Sequence, residues 1–407
     1  MEDNLTSVES ARNIVNKTAL NLGTETIPFL KSLGRVLKED ICADRDFPPF
    51  NRVAMDGIAI NFEAFHQGIY NYTIEGIQPA GDVQRTLINT HNCYEVMTGA
   101  VLPMNCDTVI RYEDLDIKNG VAFITITTVT KGQNVHIRGK DRIKNDLIIE
   151  KNTIISAAEI GILATVGKAT VKVAKLPKVL IISTGDELVN VDKYPEKHQI
   201  RRSNVFTLVS LLNHLNIDAD TDHIPDEKPI LKHKIATYLK TYDALLFSGA
   251  VSKGKYDFLP EVLEELGVQK LFHRISQRPG KPFWFGTTND TKINSKTFVF
   301  AFPGNPISTF VNCKVYFYEW FYTSTSVKRS IQTAILGDAV IFKPNLTYFL
   351  HVRLKSKYGH LVAYPVNGNG SGDLASLVEA DGFIEIPKSE QTEFKEGETF
   401  PVITYRH

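Results

Sequence analysis

A chain of 407 residues is too long for one hydrophobic core and implies roughly two to four domains. Lys plus Arg and Asp plus Glu both number 46, a formal net charge of zero that argues against a general nucleic-acid or membrane-surface binder. Apolar residues make up 43% and aromatics 10%, as in ordinary globular domains, and no apolar run approaches the ~20 residues needed to span a bilayer. The acidic start Met1-Glu-Asp-Asn carries no signal-peptide pattern, so the expectation is a soluble, cytoplasmic protein. Cys42, Cys93, Cys106 and Cys313 are scattered without a C-x-x-C or a His at zinc spacing, which predicts buried free thiols and no sulfur-bound structural metal.

Residues 5–22 carry apolar residues at helical spacing, with Thr6 or Ser7 placed to cap the start. From 23 to 175 the pattern changes to short β-like runs: Tyr94–Met97, Thr108–Tyr112 and Val121–Thr127, with Lys118-Asn-Gly120 as a hairpin turn. Residues 156–167 predict a short capped helix ending at Gly167. Beyond Pro177, Val179-Leu-Ile-Ile182 reads as a strand buried on both faces. Helical patterns near 203–215, 227–240, 258–266 and after Pro306 then alternate with apolar runs around Ile217 and at 243–247, 268–275 and 297–301. This alternation predicts an α/β multidomain protein with a central doubly wound, mainly parallel sheet. The β-like runs 339–342, 346–353 and 383–386 predict a small all-β domain at the C-terminal end.

In an open parallel sheet the ligand crevice lies beyond the carboxyl ends of the strands. Four small-residue loops fall there: Ser183-Thr-Gly-Asp-Glu187, Ser248–Asp257, Arg278-Pro-Gly-Lys-Pro282 and Phe302-Pro-Gly-Asn-Pro306. Any one of them alone is an ordinary turn. Together they bring Asp186, Glu187 and Asp257 to the same edge as Lys253, Lys255, Arg278 and Lys281. Gly249 and Gly254 free the backbone N–H groups of the second loop to approach an anion. Carboxylates beside cations suit a phosphorylated substrate accompanied by Mg²⁺. Phe47–Gly57, Met97–Thr108 and Gly139–Asp141 have the composition of either turns or sites, and nothing local decides between the two. Among the residue types there is no apparent Ser-His-Asp or Cys-His arrangement, so no covalent intermediate is expected.

The stretches FPPFNRVAMDG, MTGAVLPMNCDTVIRYED, STGDELV, SGAVSKGKYDF, RPGKPFWFG, FPGNPIST and NGNGSGDLASLVEADGF occur in that order. In this the chain resembles the molybdopterin molybdotransferase family, which includes the E-domains of gephyrin-like proteins, over essentially its whole length. The resemblance implies an elongated homodimer of four-domain subunits: 1–45 with 142–175 as a linker and dimerisation domain, 46–141 as an inserted β-rich domain, 176–326 as the doubly wound domain and 327–407 as the β domain. It implies insertion of molybdate into adenylylated molybdopterin with Mg²⁺ and release of AMP, in a cleft shared between subunits. Carried over motif by motif, Asp56, Thr98, Glu187 and Asp257 take catalytic positions, and Asp56, Glu187 and Asp257 also take metal positions. Asp141, Ser248, Gly249, Ser252, Gly254, Arg278, Lys281, Pro303 and Pro306 take substrate-binding ones. The upstream adenylyltransferase becomes a candidate partner.

The chain departs from the family pattern at Lys255, where an acidic residue is common, and at Ala250, where a second Gly is usual. Arg278 stands where Lys is frequent, and Asn51 and Val53 replace the more usual Asp and Ser. Two other readings remain open on sequence: an adenylyltransferase-like nucleotide-binding enzyme, and a non-catalytic gephyrin-like scaffold.

Overall fold

Alternation along Val179–Thr184 (β1) divides the central domain into two cores: Val179 and Ile181 face one, Leu180 and Ile182 the other. The computed structural model describes residues 5–249, 251, 257–288 and 296–406. The other strands of this sheet are β2 (Asp220–Ile224), β3 (Ala244–Ser248), β4 (Val268–His273), β5 (Trp284–Thr288) and β6 (Phe298–Phe302). Their spatial order is β2-β1-β3-β6-β5-β4. The β2, β1, β3 and β6 strands are mutually parallel, and β5 runs antiparallel to both of its neighbours. Helices cover both faces, Asn204–Asn213 and Pro306–Asn312 on one, Lys228–Tyr238 and Leu259–Glu265 on the other.

The run near Ile217 is not the second strand. Ile217 is buried just ahead of β2, whose sequence Asp-Thr-Asp-His-Ile is mostly polar because it forms the sheet edge. There Asp222 is held by Lys234 at 2.8 Å and the Tyr238 hydroxyl at 2.6 Å, which moors β2 to the helix that follows it.

Two smaller bodies precede this domain. Thr24–Pro28 pairs with Thr170–Ala174, and Ile41–Cys42 with Leu147–Ile149, around a core that includes Leu37, Ile41 and Leu163. The helix Ala157–Thr165 opens with a capping box between Ser156 and Glu159. Between those strand pairs lies a six-stranded mixed sheet that begins at Gly57–Ile60. Asn119 and Gly120 take φ of 51° and 76° in the tight turn between Leu115–Lys118 and Val121–Ile124. Cys42 is exposed, in contrast to the buried thiol expected there, whereas Cys93, Cys106 and Cys313 are buried. No helix among the described residues is long and apolar enough to cross a membrane.

At the C-terminal end, Thr333–Leu336, Thr347–Lys357, His360–Pro365, Gly382–Ile386 and Thr399–Thr404 pair in a closed circuit, a small barrel. Several contacts tie it to the rest of the chain, among them a strand pairing and an ion pair. Gln277–Arg278 adds in parallel to Thr347–Tyr348. Arg12, on the N-terminal helix Val8–Lys17, donates to both carboxylate oxygens of Glu385 at 2.8 and 2.7 Å.

One face of the central sheet is largely aromatic. Phe300, fully buried on β6, lies 4.8 Å from the ring of Phe285, 5.4 Å from Phe317 and 5.8 Å from Trp320. Phe300→Ala should cost about 3–5 kcal/mol, read as a lowered urea midpoint. A midpoint equal to wild type would mean that this face collapses without penalty.

Candidate active site

Register aligns the cleft before any side chain is considered. Ser183 of β1 pairs with Ser248 of β3, Ser248 pairs with Phe302 of β6, and Thr184 pairs with Ile224 of β2. The loops that begin at Gly185, Pro225, Gly249 and Pro303 therefore leave one edge of the sheet at the same level. Gly249 has φ 114°, and a Cβ there would stand 3.0 Å from Thr184 Oγ1 and 3.2 Å from the Thr184 carbonyl oxygen. Its N–H donates to the Phe302 carbonyl at 3.1 Å, which locks two loops together.

These loops enclose a cleft of about 530 Å³. Glu187, Ser248, Gly249, Asp257, Pro303 and Pro306 all line it, as does Thr184, whose Oγ1 is buried without a hydrogen-bond partner among the described residues. Arg278 and Lys281 do not line this cleft. They line an adjoining pocket of about 370 Å³, whose opposite wall comes from the C-terminal barrel through Tyr348 and His351. Pro282, Pro303 and Asn305 belong to both pockets and form the partition. Ser252 and Gly254, with Ala250, Lys253 and Lys255, lie outside the described residues.

Asp56 and Asp141 lie elsewhere, on the N-terminal bodies. Thr98 donates to Asp56 Oδ1 from its backbone N–H at 2.6 Å and from its hydroxyl at 2.7 Å, and both bonds hold the Asp56 carboxyl below its ordinary pKa. Gly57 fits only as glycine, because a Cβ would stand 1.8 Å from the Ile110 carbonyl oxygen. Asp141 Oδ1 is 3.0 Å from His136 Nε2. Neither aspartate lines the cleft or the adjoining pocket, so the single chain does not bring all the sequence-derived site residues together.

The structure adds residues that the sequence reading missed. Asp226, two residues past β2, lines the cleft. Its pKa is raised, first by burial and then by the charges of Asp186, Glu187 and Asp257. Asn204 donates to Ser248 Oγ at 2.9 Å and to the Gly304 carbonyl at 2.7 Å, bridging two strand-end loops. Arg201 and Arg202 also line the cleft; the adjacent Arg-Arg-Ser-Asn run just before a helical pattern was their only sequence signal. His351 Nε2 is buried without a partner among the described residues, and burial lowers the pKa of the ring.

Ser183 Oγ and His223 Nδ1 do lie 3.0 Å apart, a Ser–His contact that the sequence did not suggest. The two residues are direct cross-strand neighbours, Ser183 is 2% exposed, and burial lowers the His223 pKa. The contact ties β1 to β2.

Among the described residues, no three His, Cys, Asp or Glu side chains form a ready metal cage. Glu187, Asp226 and Asp257 line the cleft together with Arg201 and Arg202. Mg²⁺ ordinarily takes only one or two protein carboxylates, with water and substrate phosphate completing its shell.

Residues 6–167 match the family description "MoeA N-terminal region (domain I and II)", residues 180–320 "Probable molybdopterin binding domain", and residues 333–405 "MoeA C-terminal region (domain IV)". The chain belongs to the MoeA family. It is 38% identical over 398 residues to a molybdopterin molybdenumtransferase of Synechocystis, covering 97% of this chain and 98% of that protein. A Bacillus subtilis protein of the same name is 30% identical, with 94% and 90% covered. The fold is similar to a molybdopterin biosynthesis MoeA protein of Pyrococcus horikoshii, with a TM-score of 0.83 and 26% identity over 99% of this chain and all of that one. The protein is a transferase of this family.

The charge on Asp226 gives a test of the cleft. Its folded pKa lies above the ordinary value, so its favourable contribution is present at low pH and lost as pH rises through the folded pKa. Asp226→Asn should therefore be more stable than wild type at pH 7, with the gain shrinking below about pH 4. Urea unfolding at the two pH values reads this directly, and a variant less stable at pH 7 would show that Asp226 is not under charge repulsion.

Proposed function

We propose that this protein carries out the last step of molybdenum cofactor synthesis, inserting molybdate into the dithiolene of adenylylated molybdopterin and releasing AMP. The observation that carries this reading is the pair of adjoining pockets. One is rimmed by strand-end glycines and carboxylates, and the other by Arg278 and Lys281. A nucleotide-bearing phosphate chain suits the first and an oxyanion the second. An adenylyltransferase-like reading is not favoured, because the matched MoeA regions flank the central domain on both sides. A non-catalytic scaffold is not favoured either, since the full-length relatives are named as transferases.

In this reading the Ser248 hydroxyl at the end of β3, which accepts from Asn204, donates to the phosphates. Gly249, whose N–H is engaged with the Phe302 carbonyl, keeps the loop close to them, and Ser252 and Gly254 are proposed for the same substrate. Pro303 belongs to the partition and Pro306 to the wall of the first cleft, and together they orient the two substrates toward each other. Arg278 and Lys281 offset the charge of molybdate as it nears a substrate that is already anionic. Glu187 and Asp257, with Asp226 beside them, would hold Mg²⁺, which when bound neutralises phosphate charge. Water then breaks the phosphate–phosphate link, making the step irreversible. Purified protein given adenylylated molybdopterin and molybdate should release AMP, and release that does not depend on molybdate would contradict insertion.

Asp56, with Thr98 and Asp141, completes the site from a second chain. What supports this is a carboxylate held ionised and oriented on a surface away from its own cleft. A homodimer with shared clefts follows, and the upstream adenylyltransferase is its natural supplier of substrate. Mixing Asp56→Ala and Asp257→Ala subunits should restore activity, because each mixed dimer holds one cleft with both aspartates. If subunit exchange is demonstrated and activity stays at the level of either variant alone, the shared site is wrong.

Asp257 gives a sharper test. The N-cap of the helix Leu259–Glu265 is Phe258, not Asp257. Asp257→Asn keeps size and polarity but loses the charge that a cation requires. AMP release should fall roughly a hundredfold or more, with an unchanged urea midpoint. Near wild-type turnover would leave Asp226 and Glu187 as the metal-holding pair.

A further inference from the structure

The loop carrying Arg278 and Lys281 has only Pro279 and Gly280 between its two cations, and both intervening carbonyls are held from beneath. Gln277 Nε2 donates to the Pro279 carbonyl at 2.8 Å, and Asn312 Nδ2 donates to the Gly280 carbonyl at 3.2 Å. The two amides are themselves joined, Gln277 Nε2 to Asn312 Oδ1 at 2.8 Å. The Tyr316 hydroxyl closes the set by donating to Gln277 Oε1 at 2.5 Å. Gln277, Asn312 and Tyr316 are each fully buried. Gly280 sits directly on the amides: with φ 90°, its Cβ would fall 2.7 Å from Asn312 Nδ2 and 2.8 Å from Gln277 Nε2.

Three buried polar side chains beneath the buried Pro279-Gly280 turn are costly unless every partner is present. The network satisfies the carbonyls of the buried Pro279 and Gly280, which a Leu or Met in its place would leave unpaired. It also supplies orientation. With both intervening carbonyls fixed, the peptide planes between Arg278 and Lys281 cannot rotate, and the spacing of the two cationic stems is set before any ligand arrives. Asn312 and Tyr316 enter from the junction where the helix Pro306–Asn312 passes into the π-helical turn Cys313–Phe317. Such turns re-aim side chains by one position and are frequent at functional sites.

We infer that Gln277, Asn312 and Tyr316 are positioning residues, which preset Arg278 and Lys281 for the oxyanion in the adjoining pocket. The inference rests on the reading of that pocket as the molybdate subsite. It predicts a selective defect, since none of the three residues lines the nucleotide-suited cleft.

The test measures binding of molybdate and of AMP separately, by calorimetry on the intact protein, for wild type, Lys281→Ala, Asn312→Leu and Tyr316→Phe. Tyr316→Phe keeps the ring against Phe283 at 5.0 Å and removes only the hydroxyl, so it serves if Asn312→Leu fails to fold. Both network variants should bind molybdate about tenfold more weakly while AMP affinity holds, the scale of losing one charge-assisted contact. If Lys281→Ala leaves molybdate binding intact, the subsite reading fails and the inference with it. If Lys281→Ala weakens it while Tyr316→Phe binds like wild type, the subsite stands and the positioning role is wrong. Equal losses for molybdate and AMP would mark the network as general scaffolding and overturn the inference.

Discussion

The in-register parallel pairing of β1, β3 and β6 is the constraint on which the rest depends. Because Ser183, Ser248 and Phe302 stand level, three glycine-bearing loops emerge at one height and must share the space beyond the sheet edge. That crowding explains why glycine is needed at 249, where a side chain would meet Thr184, and why Gly304 comes so near that a Cβ on it would lie 3.8 Å from Gly249 Cα. A slip of one residue in any of these pairings would send core side chains to the wrong face and pull the loops apart. The aromatic and aliphatic cores on the two faces therefore hold the register, and the register builds the cleft.

Electrostatics then divides the edge into two parts. Glu187, Asp226 and Asp257 line the first cleft beside Arg201 and Arg202, and burial first, then the charges of Asp186, Glu187 and Asp257, raise the Asp226 pKa. The Arg278–Lys281 loop stands past the Pro303 partition, beside the barrel. Pro282 and Pro303, which have no backbone N–H, stiffen the partition, and Asn305 adds its amide to it. The docking of Gln277–Arg278 onto Thr347–Tyr348, supported by the Arg12–Glu385 pair, makes the C-terminal barrel part of the second pocket.

Much of this was legible in sequence because glycine-rich loops directly after apolar runs obey a local rule. Ser248-Gly249, Pro279-Gly280 and Pro303-Gly304 announce themselves in that way. Asp226 did not, because it follows an edge strand whose polar residues break the apolar signal. The Gln277–Asn312–Tyr316 set was invisible for another reason. Gln277 and Asn312 are 35 positions apart, and an amide looks the same in sequence whether it is buried or solvated. His351 lies within an ordinary strand, where nothing local marks it, with Tyr348 and Phe349, as a position that meets the pocket. The sequence grouped Arg278 and Lys281 with the carboxylates because it shows which strand end carries a loop, not where a partition will rise.

Asp56 poses the remaining structural question, since it is organised like a catalytic group and yet lines neither pocket of its own chain. Two hydrogen bonds from Thr98 to one oxygen leave Oδ2 unused by either bond, and they hold the carboxyl ionised at an exposed position. The glycine beside it admits no side chain, so the turn cannot be rebuilt around a different residue at position 57. Rigid, charged and outward-facing, Asp56 has the properties of half a site. In the proposed dimer the other half is the carboxylate-rich cleft of the second chain, where a cation would relieve the repulsion around Asp226 and give Asp56 a partner at the same time.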